Sequence, residues 1–427
     1  MLNKHLYSIE RKLVAAARDE LTAATLTGDD LALERSRIRG WCLNVIDQGY
    51  GGLRTDDIDS IVSAALDDLF DMGPLSALLD DGTVTEIMVN APDEIYVERD
   101  GVMERVLASF ADDAHVRSII DRICEGTHTR CDDASPIASC LLIRPGSPAD
   151  RARVQVVLKP ISVDHHTINI RLFRRDTVDP VALRDCGTYD QKMIEFLEAL
   201  TLGRMNCVIA GGTGTGKTTL LGAMSTFIPP SQRTILLEDV PEIKLTGHHI
   251  RKQTRAANTE GKGEVTMYDL VRSSLRERPD RIIVGECRGA EAFEMLQAMN
   301  TGHEGSFTTV HATSPRDTII RLRSMVQMSG VSLSAEDIVD MICRAIDFVL
   351  FLRRFPDGSR RLVEISEISG LEGSTPILTP LMKFEQNPWD GVSVSGRFVS
   401  TGNRPSPAHV ERFDQQGVEL DQWWWSR

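Results

Sequence analysis

The spacing of apolar positions divides the chain into three stretches of different character. Over residues 1 to about 70 the period is helical. In its clearest segment Ile58, Val62, Ala65, Leu69 and Met72 recur at three- and four-residue steps, with Asp56, Asp57 and Asp59 in the first turn, where the helix dipole favours acids. Gly73-Pro74 ends that pattern. Strand signals follow at Val84–Val89, Glu94–Val97, Val154–Leu158 and Thr167–Phe173, with a turn at Arg99-Asp100-Gly101. The expectation is a helical N-terminal segment over 1–70 and an α+β domain over 71–175.

A Pro-containing stretch, 176–189, reads as a linker, and beyond it the pattern changes again. A helix is predicted from Asp190 to Thr201. Short apolar runs at Asn206–Ala210, Thr234–Glu238, Arg281–Gly285, Ser306–Val310 and Phe348–Leu352 then alternate with helical segments. Strands apolar on both faces and separated by helices predict an α/β domain with a mostly parallel sheet covered on both sides, over 190–370. Residues 371–427 are Gly-, Pro- and Ser-rich and read as a C-terminal extension. They end in Trp423-Trp424-Trp425, which is expected to pack against its own chain or a neighbouring subunit.

Composition narrows the class. The 427 residues are 41% hydrophobic and 26% charged, as in a globular protein of two or three domains. The longest apolar runs fall far short of the roughly 20 residues that span a bilayer, and the start lacks the apolar core of a signal peptide. None of the eight cysteines forms a CxxC pair, so neither a zinc ribbon nor a redox dithiol is indicated. The chain reads as cytoplasmic.

The net charge of −14 argues against a protein that coats nucleic acid or an anionic membrane. That figure averages over opposed patches. Residues 71–113 hold eleven acids against two arginines, whereas residues 151–175 hold five arginines and one lysine against a single acid. In the basic run the arginines alternate with apolar residues on predicted strands, which fixes their side-chain direction. The acidic lobe is left as a candidate surface for a basic partner.

The sharpest chemical signal is Gly211-Gly212-Thr213-Gly214-Thr215-Gly216-Lys217-Thr218, which fits GxxxxGK[ST] between an apolar strand and a helix that continues through Thr219. Glycines let backbone N–H groups close around phosphate oxygens, and the helix N-terminus adds its dipole. Lys217 is expected to reach the β/γ-phosphates of ATP and the Thr218 hydroxyl to ligate Mg²⁺. Turnover also needs a carboxylate to polarise water and cations for the transition state. Glu286, at the end of the Arg281–Gly285 strand, is assigned to water. An acid is commonly expected just before it, but Gly285 stands there, and Glu238, Asp239 and Glu242 on the intervening strand are candidates to support the metal or its waters. Arg272 and Arg276, four apart and so predicted on one helical face, are candidate phosphate-facing cations or a salt-bridged surface. His303 and His311 flank a strand and are read as polar sensors of the γ-phosphate or of the acids, or as hydrogen-bonded core histidines.

These residues resemble the secretion-type traffic ATPases of the type II/IV secretion superfamily, and within them the CpaF/TadA branch that powers tight-adherence (Flp, type IVc) pili. Gly73-Pro74-Leu75 with Thr83–Asn90, Glu260–Thr266, Arg276–Glu291 and Gln297–Gly305 carry the resemblance, and the Gly285-Glu286 pair is what that family shows. It implies a homohexameric ring of two-domain subunits with ATP held between the domains. It implies that N-terminal arginines, here Arg153, Arg171 and Arg130, reach the phosphates. The expected role is a Mg²⁺-dependent ATPase motor at the inner face of the cytoplasmic membrane, associated with it through inner-membrane pilus platform proteins. The alternatives are an ATPase of a type IV DNA/protein secretion system or a pilus retraction motor, and a nucleotide-gated scaffold with little hydrolysis.

Overall fold

The computed structural model describes residues 4–20, 29–99, 101–127, 129–173, 178–255, 257 and 262–426. Asp100 of the expected turn, Arg174 and Arg175 of the basic run, and Asp176 and Thr177 lie outside them. The chain forms two compact units, Met1–Arg175 and Asp176–Arg427.

In the first unit α1 (Lys4–Glu20), α2 (Asp29–Gly49) and α3 (Thr55–Phe70) share an apolar cluster that includes Leu13, Ile38, Ile46, Ile61 and Val62. The buried face of α3 is Ile61, Val62, Ala65 and Leu66, shifted from the expected stripe, and the helix ends before Met72. A short α4 (Ser76–Leu79) leads into a six-stranded sheet. Its strands are β1 (Val84–Ala91), β2 (Glu94–Arg99), β3 (Val102–Val106), β4 (Ile137–Ile143), β5 (Arg151–Val157) and β6 (Thr167–Phe173), in the order β3-β2-β1-β6-β5-β4 and antiparallel throughout. Helix α5 (Asp113–Gly126), capped by Asp112, buries Val116, Ile119, Ile120 and Ile123 in the core of this sheet. The expected separation of a 1–70 segment is not seen, because the helices and the sheet belong to one unit.

The second unit begins inside the expected linker. Residues 180–185 form α6 (Pro180–Asp185), and Tyr189 is buried in the core, its hydroxyl donating to the Pro180 carbonyl at 2.9 Å. There follow α7 (Gln191–Leu202), β7 (Cys207–Gly211), α8 (Lys217–Ser225), β8 (Thr234–Glu238), β9 (His249–Gln253), α9 (Met267–Ser274), β10 (Arg281–Val284), α10 (Glu291–Asn300), β11 (Phe307–His311), α11 (Pro315–Met328), α12 (Ala335–Ala345), β12 (Phe348–Arg354), β13 (Arg360–Glu372), β14 (Thr375–Gln386), β15 (Gly396–Ser400) and α13 (Pro407–Gln415). They build a nine-stranded sheet ordered β15-β14-β13-β12-β7-β11-β10-β8-β9. From β12 to β9 every pairing is parallel, while β13 to β15 add an antiparallel meander. The inner parallel strands, β12, β7, β11, β10 and β8, are buried on both faces, as their unbroken apolar runs require, whereas the edge strand β9 is polar and only partly buried. One face carries α7, α8 and α13, the other α9 to α12.

The expected C-terminal extension is therefore part of the nine-stranded sheet. Its meander was hidden because β13 and β14 are only partly buried and interleave Ser, Pro and Glu with their apolar residues. The tryptophans pack on their own chain. Trp424 and Trp425 meet Phe196 edge-on at centroid distances of 5.8 and 5.4 Å, and Trp424 Nε1 donates to Glu195 at 2.8 Å.

Candidate active site at the P-loop edge of the parallel sheet

Ligand sites of open parallel sheets lie beyond the strands' carboxyl ends, where connections diverge to the two faces. β7 is flanked by β11 and β12, and its connection to α8 is the glycine loop. Gly214 and Gly216 have φ of +68° and +93°, a left-handed backbone that glycine adopts without strain. A Cβ on Gly211 would stand 2.6 Å from the Leu352 carbonyl, so the neighbouring strand also excludes any larger residue. The loop is held in a curled form by its own side chains: Thr215 Oγ1 and Lys217 Nζ donate to the Gly212 carbonyl at 2.9 and 2.8 Å.

From Lys217 a line of polar contacts crosses the sheet edge. Lys217 Nζ lies 3.5 Å from His311 Nδ1, and His311 Nε2 lies 2.7 Å from Glu286 Oε1. The other Glu286 oxygen is held by the Arg288 guanidinium, which also lies 3.4 Å from Asp239. Burial, and after it the Lys217 ammonium, push the His311 imidazole below its ordinary value against the pull of Glu286. The hydrogen bond to Glu286 holds the Arg288 guanidinium even more firmly charged. A carboxylate, an imidazole biased to its neutral form and a lysine thus stand in sequence beside a phosphate-shaped loop.

Gly285 now has a physical reason. A Cβ there would come 3.1 Å from Glu238 Cγ and 3.3 Å from the Leu237 carbonyl, so the side chain of Glu238 fills the space an acid at 285 would need. Glu238 itself is buried, and its carboxylate accepts the N–H groups of Glu242 and Ile243, both at 2.8 Å, with Arg251 at 3.3 Å. Burial pushes that carboxyl up. Its position is that of a clamp on the turn carrying Glu242, whereas Asp239 is the acid that joins the Arg288 line.

The remaining expected residues fall in different places. Arg272 is on α9, 3.8 Å from Glu294, with its guanidinium over the Tyr268 ring. Arg276 does not share its helical face, because α9 stops at Ser274 and Arg276 lies in the turn beyond. His303 is not brought to this site. It precedes β11 and lies 3.3 Å from the Ala298 carbonyl, at the opposite end from His311 of a strand roughly 13 Å long. In the first unit Arg153 and Arg171 stand directly opposite each other on β5 and β6, both exposed, with Glu86 4.0 Å from Arg171. Like charges so placed repel. Arg130 pairs with Asp132 at 2.6 Å.

Three arginines escaped the sequence reading. Arg288 carried a local signal, two residues beyond Glu286 in the same strand-end turn. Arg354 and Arg360 carried none: Arg360 Nε donates to the Gly214 carbonyl at 2.9 Å only because β12 lies beside β7.

The site fits a nucleotide. Its loop offers backbone N–H groups and one lysine, and the half-buried Thr218 is placed at the second position of α8. No cluster of three or more His, Cys, Asp or Glu among the described residues is arranged to hold a metal ion. No helix among the described residues is long and apolar enough to cross a membrane.

The profile of the family described as Type II/IV secretion system protein matches residues 68–361. A Mycobacterium tuberculosis (strain H37Rv) chain that bears a conjugal-transfer designation is 36% identical over 308 residues, covering 72% of this chain and 87% of the relative. Type IV secretion system protein VirB11 of Brucella suis is 32% identical over 335 residues, covering 70% and 89%. Among solved structures, the pilus retraction motor PilT with bound ADP shares the fold at a TM-score of 0.50 and 16% identity, covering 80% of this chain and 85% of that one. With the profile spanning both the antiparallel sheet and the P-loop edge, the chain belongs to the type II/IV secretion system protein family, the secretion ATPases.

Proposed function

We propose that this protein is a Mg²⁺-dependent ATPase that works as a hexameric ring and drives a membrane-embedded type IV machine from the cytoplasmic side. The observation that carries the reading is the contact line Asp239–Arg288–Glu286–His311–Lys217 ending on the glycine loop. Lys217 and the loop N–H groups would bind and orient the phosphates, and Glu286 would accept a proton from the attacking water. Lys217, Arg272 and the exposed pair Arg153 and Arg171 would balance the charge that develops on the transferred phosphoryl group. Mg²⁺, when bound at Thr218 and the phosphates, would neutralise phosphate charge; Asp239 and Glu242 are the acids that could orient its waters.

The conjugal-transfer and VirB11 designations of the relatives favour a type IV secretion or conjugation-type machine. The tight-adherence pilus reading rests instead on the motif runs over residues 73–90 and 276–305, and both readings use the same chemistry. The test is Mg²⁺-dependent phosphate release from ATP by the purified chain, with its subunit number measured in the same buffer. Turnover by a six-subunit ring is expected. A six-subunit ring that binds ATP without turnover would make the protein a nucleotide-gated scaffold. Strong stimulation by DNA would favour the conjugation-type machine over the pilus.

A further inference from the structure

The β12–β13 hairpin does more than extend the sheet. β12 runs parallel to β7 with Leu352 opposite Gly211, so Arg353 and Arg354, still paired with Arg361 and Arg360 of β13, extend past the end of β7 where the glycine loop begins. The hairpin is tightly closed: Phe355 N–H donates to the Ser359 carbonyl at 2.8 Å, and Asp357 accepts from the Ser359 and Val394 N–H groups at 3.0 and 2.6 Å. This delivers Arg360 back to the loop, where its Nε–H reaches the Gly214 carbonyl. A Cβ on Gly214 would lie 3.4 Å from Arg354 Nη1, and one on Gly216 would lie 3.6 Å from Arg360 Cδ. Two exposed guanidinium-bearing side chains from one hairpin therefore lie against the two left-handed glycines of the phosphate loop. The next residue makes the contrast: Arg361 turns away, donates to the Gly187 and Val394 carbonyls at 2.7 and 3.0 Å, and covers the Phe384 ring.

We propose that Arg354 and Arg360 are same-subunit phosphate-binding residues, closing over the α- and β-phosphates of a nucleoside di- or triphosphate held by the glycine loop. This rests on the nucleotide reading above. Lys217 supplies one positive charge against the three or four negative charges of such a ligand, and the hairpin supplies two more without a neighbouring subunit. Arg360 donates to a neutral carbonyl, a contact worth little net, and a guanidinium gains more from a charged phosphate with two oxygens in its fork. Nucleotide arrival would exchange one for the other. A lone subunit then holds ADP well.

The test is equilibrium titration of the purified full-length chain with a fluorescent ADP analogue, with ADP, AMP and adenosine as competitors. Arg360→Gln keeps an amide N–H that can reach Gly214 but has no charge; it should weaken ADP binding about tenfold, as one lost charge-assisted contact does. Arg360→Lys should fall between it and wild type, and adding Arg354→Ala should bring the loss to about a hundredfold. The loss should shrink from ADP to AMP and vanish for adenosine. Wild-type ADP affinity in Arg360→Gln, or an equal loss for ADP and adenosine, would overturn the proposal, since either result assigns the side chain to loop shape alone. A wild-type chain that binds no ADP would overturn the nucleotide reading itself, a separate failure.

Discussion

The two ends of the parallel sheet in the second unit hold the same kinds of side chain and use them in opposite ways. At the carboxyl end Glu286, His311, Arg288, Asp239 and Lys217 touch one another at a solvent-facing edge. At the amino end Arg281 is fully buried. It donates to Gln232 and to the carbonyls of Gly305 and Thr201 at 2.6, 2.9 and 2.6 Å, with Phe307 under its guanidinium. At the same end Asp347 accepts from the Asn206 N–H at 2.7 Å and from Arg412, and His409 lies between it and Glu367. Burial with partners fixed by the fold makes an ionic cluster a fastener. Contacts at a solvent-facing edge, where the lysine and arginine can trade a partner for a phosphate oxygen, suit a working site.

The comparison can be broken in several ways. The largest expected effect is on activity: Lys217→Ala should lower ATP turnover by on the order of a thousandfold while costing little in melting temperature, because the contact it removes at the loop, to the exposed Gly212 carbonyl, is small beside the transition-state contact. His311→Ala should cost about tenfold to a hundredfold in turnover. Equal losses of stability in these variants would show the carboxyl end to be a fastener too.

At the amino end the signs reverse. Arg281→Met should cost on the order of 3 kcal/mol in denaturant unfolding, since two carbonyls and the Gln232 amide lose their buried donor. The pH profile offers a milder version. Burial opposes protonation of His409, but Asp347 and Glu367 outweigh it and hold the imidazole up at about 9. A histidine raised in the folded state contributes its full stability below the unfolded value near 6.5 and loses it as pH climbs through about 9. Unfolding free energy should therefore fall by on the order of 2–3 kcal/mol between pH 6.5 and 9.5, and His409→Gln should flatten that slope. The smallest effect sharpens the contrast most: His303→Ala should leave turnover within about twofold of wild type, and a loss like that of His311→Ala would mean that the two ends do not divide the work.

What was legible in the sequence follows the range of the interactions. The glycine loop, the parallel strands and Glu286 were readable because their signals are local: a fixed spacing, an unbroken apolar run, an acid at a strand end. His303 and His311 look equivalent as a pair flanking a strand, yet strand direction sends them to opposite edges. Arg272 and Arg276 shared a helical spacing, but the helix ends between them. Arg354, Arg360 and Arg281 were beyond reach, since their partners lie from 24 to 146 residues away and meet them only through strand order. The half-buried meander concealed itself by mixing polar residues with its apolar ones, so that no unbroken apolar run marks it.

The central claim is that the carboxyl-end cluster hydrolyses the nucleotide that the glycine loop binds, with Glu286 as the water-polarising group. Its most direct test compares Glu286→Gln with wild type for ATP binding and for single-turnover phosphate release on the same preparation. The account predicts ATP affinity within a few-fold of wild type and a chemical step slower by at least a hundredfold. Phosphate release at the wild-type rate in Glu286→Gln would contradict it.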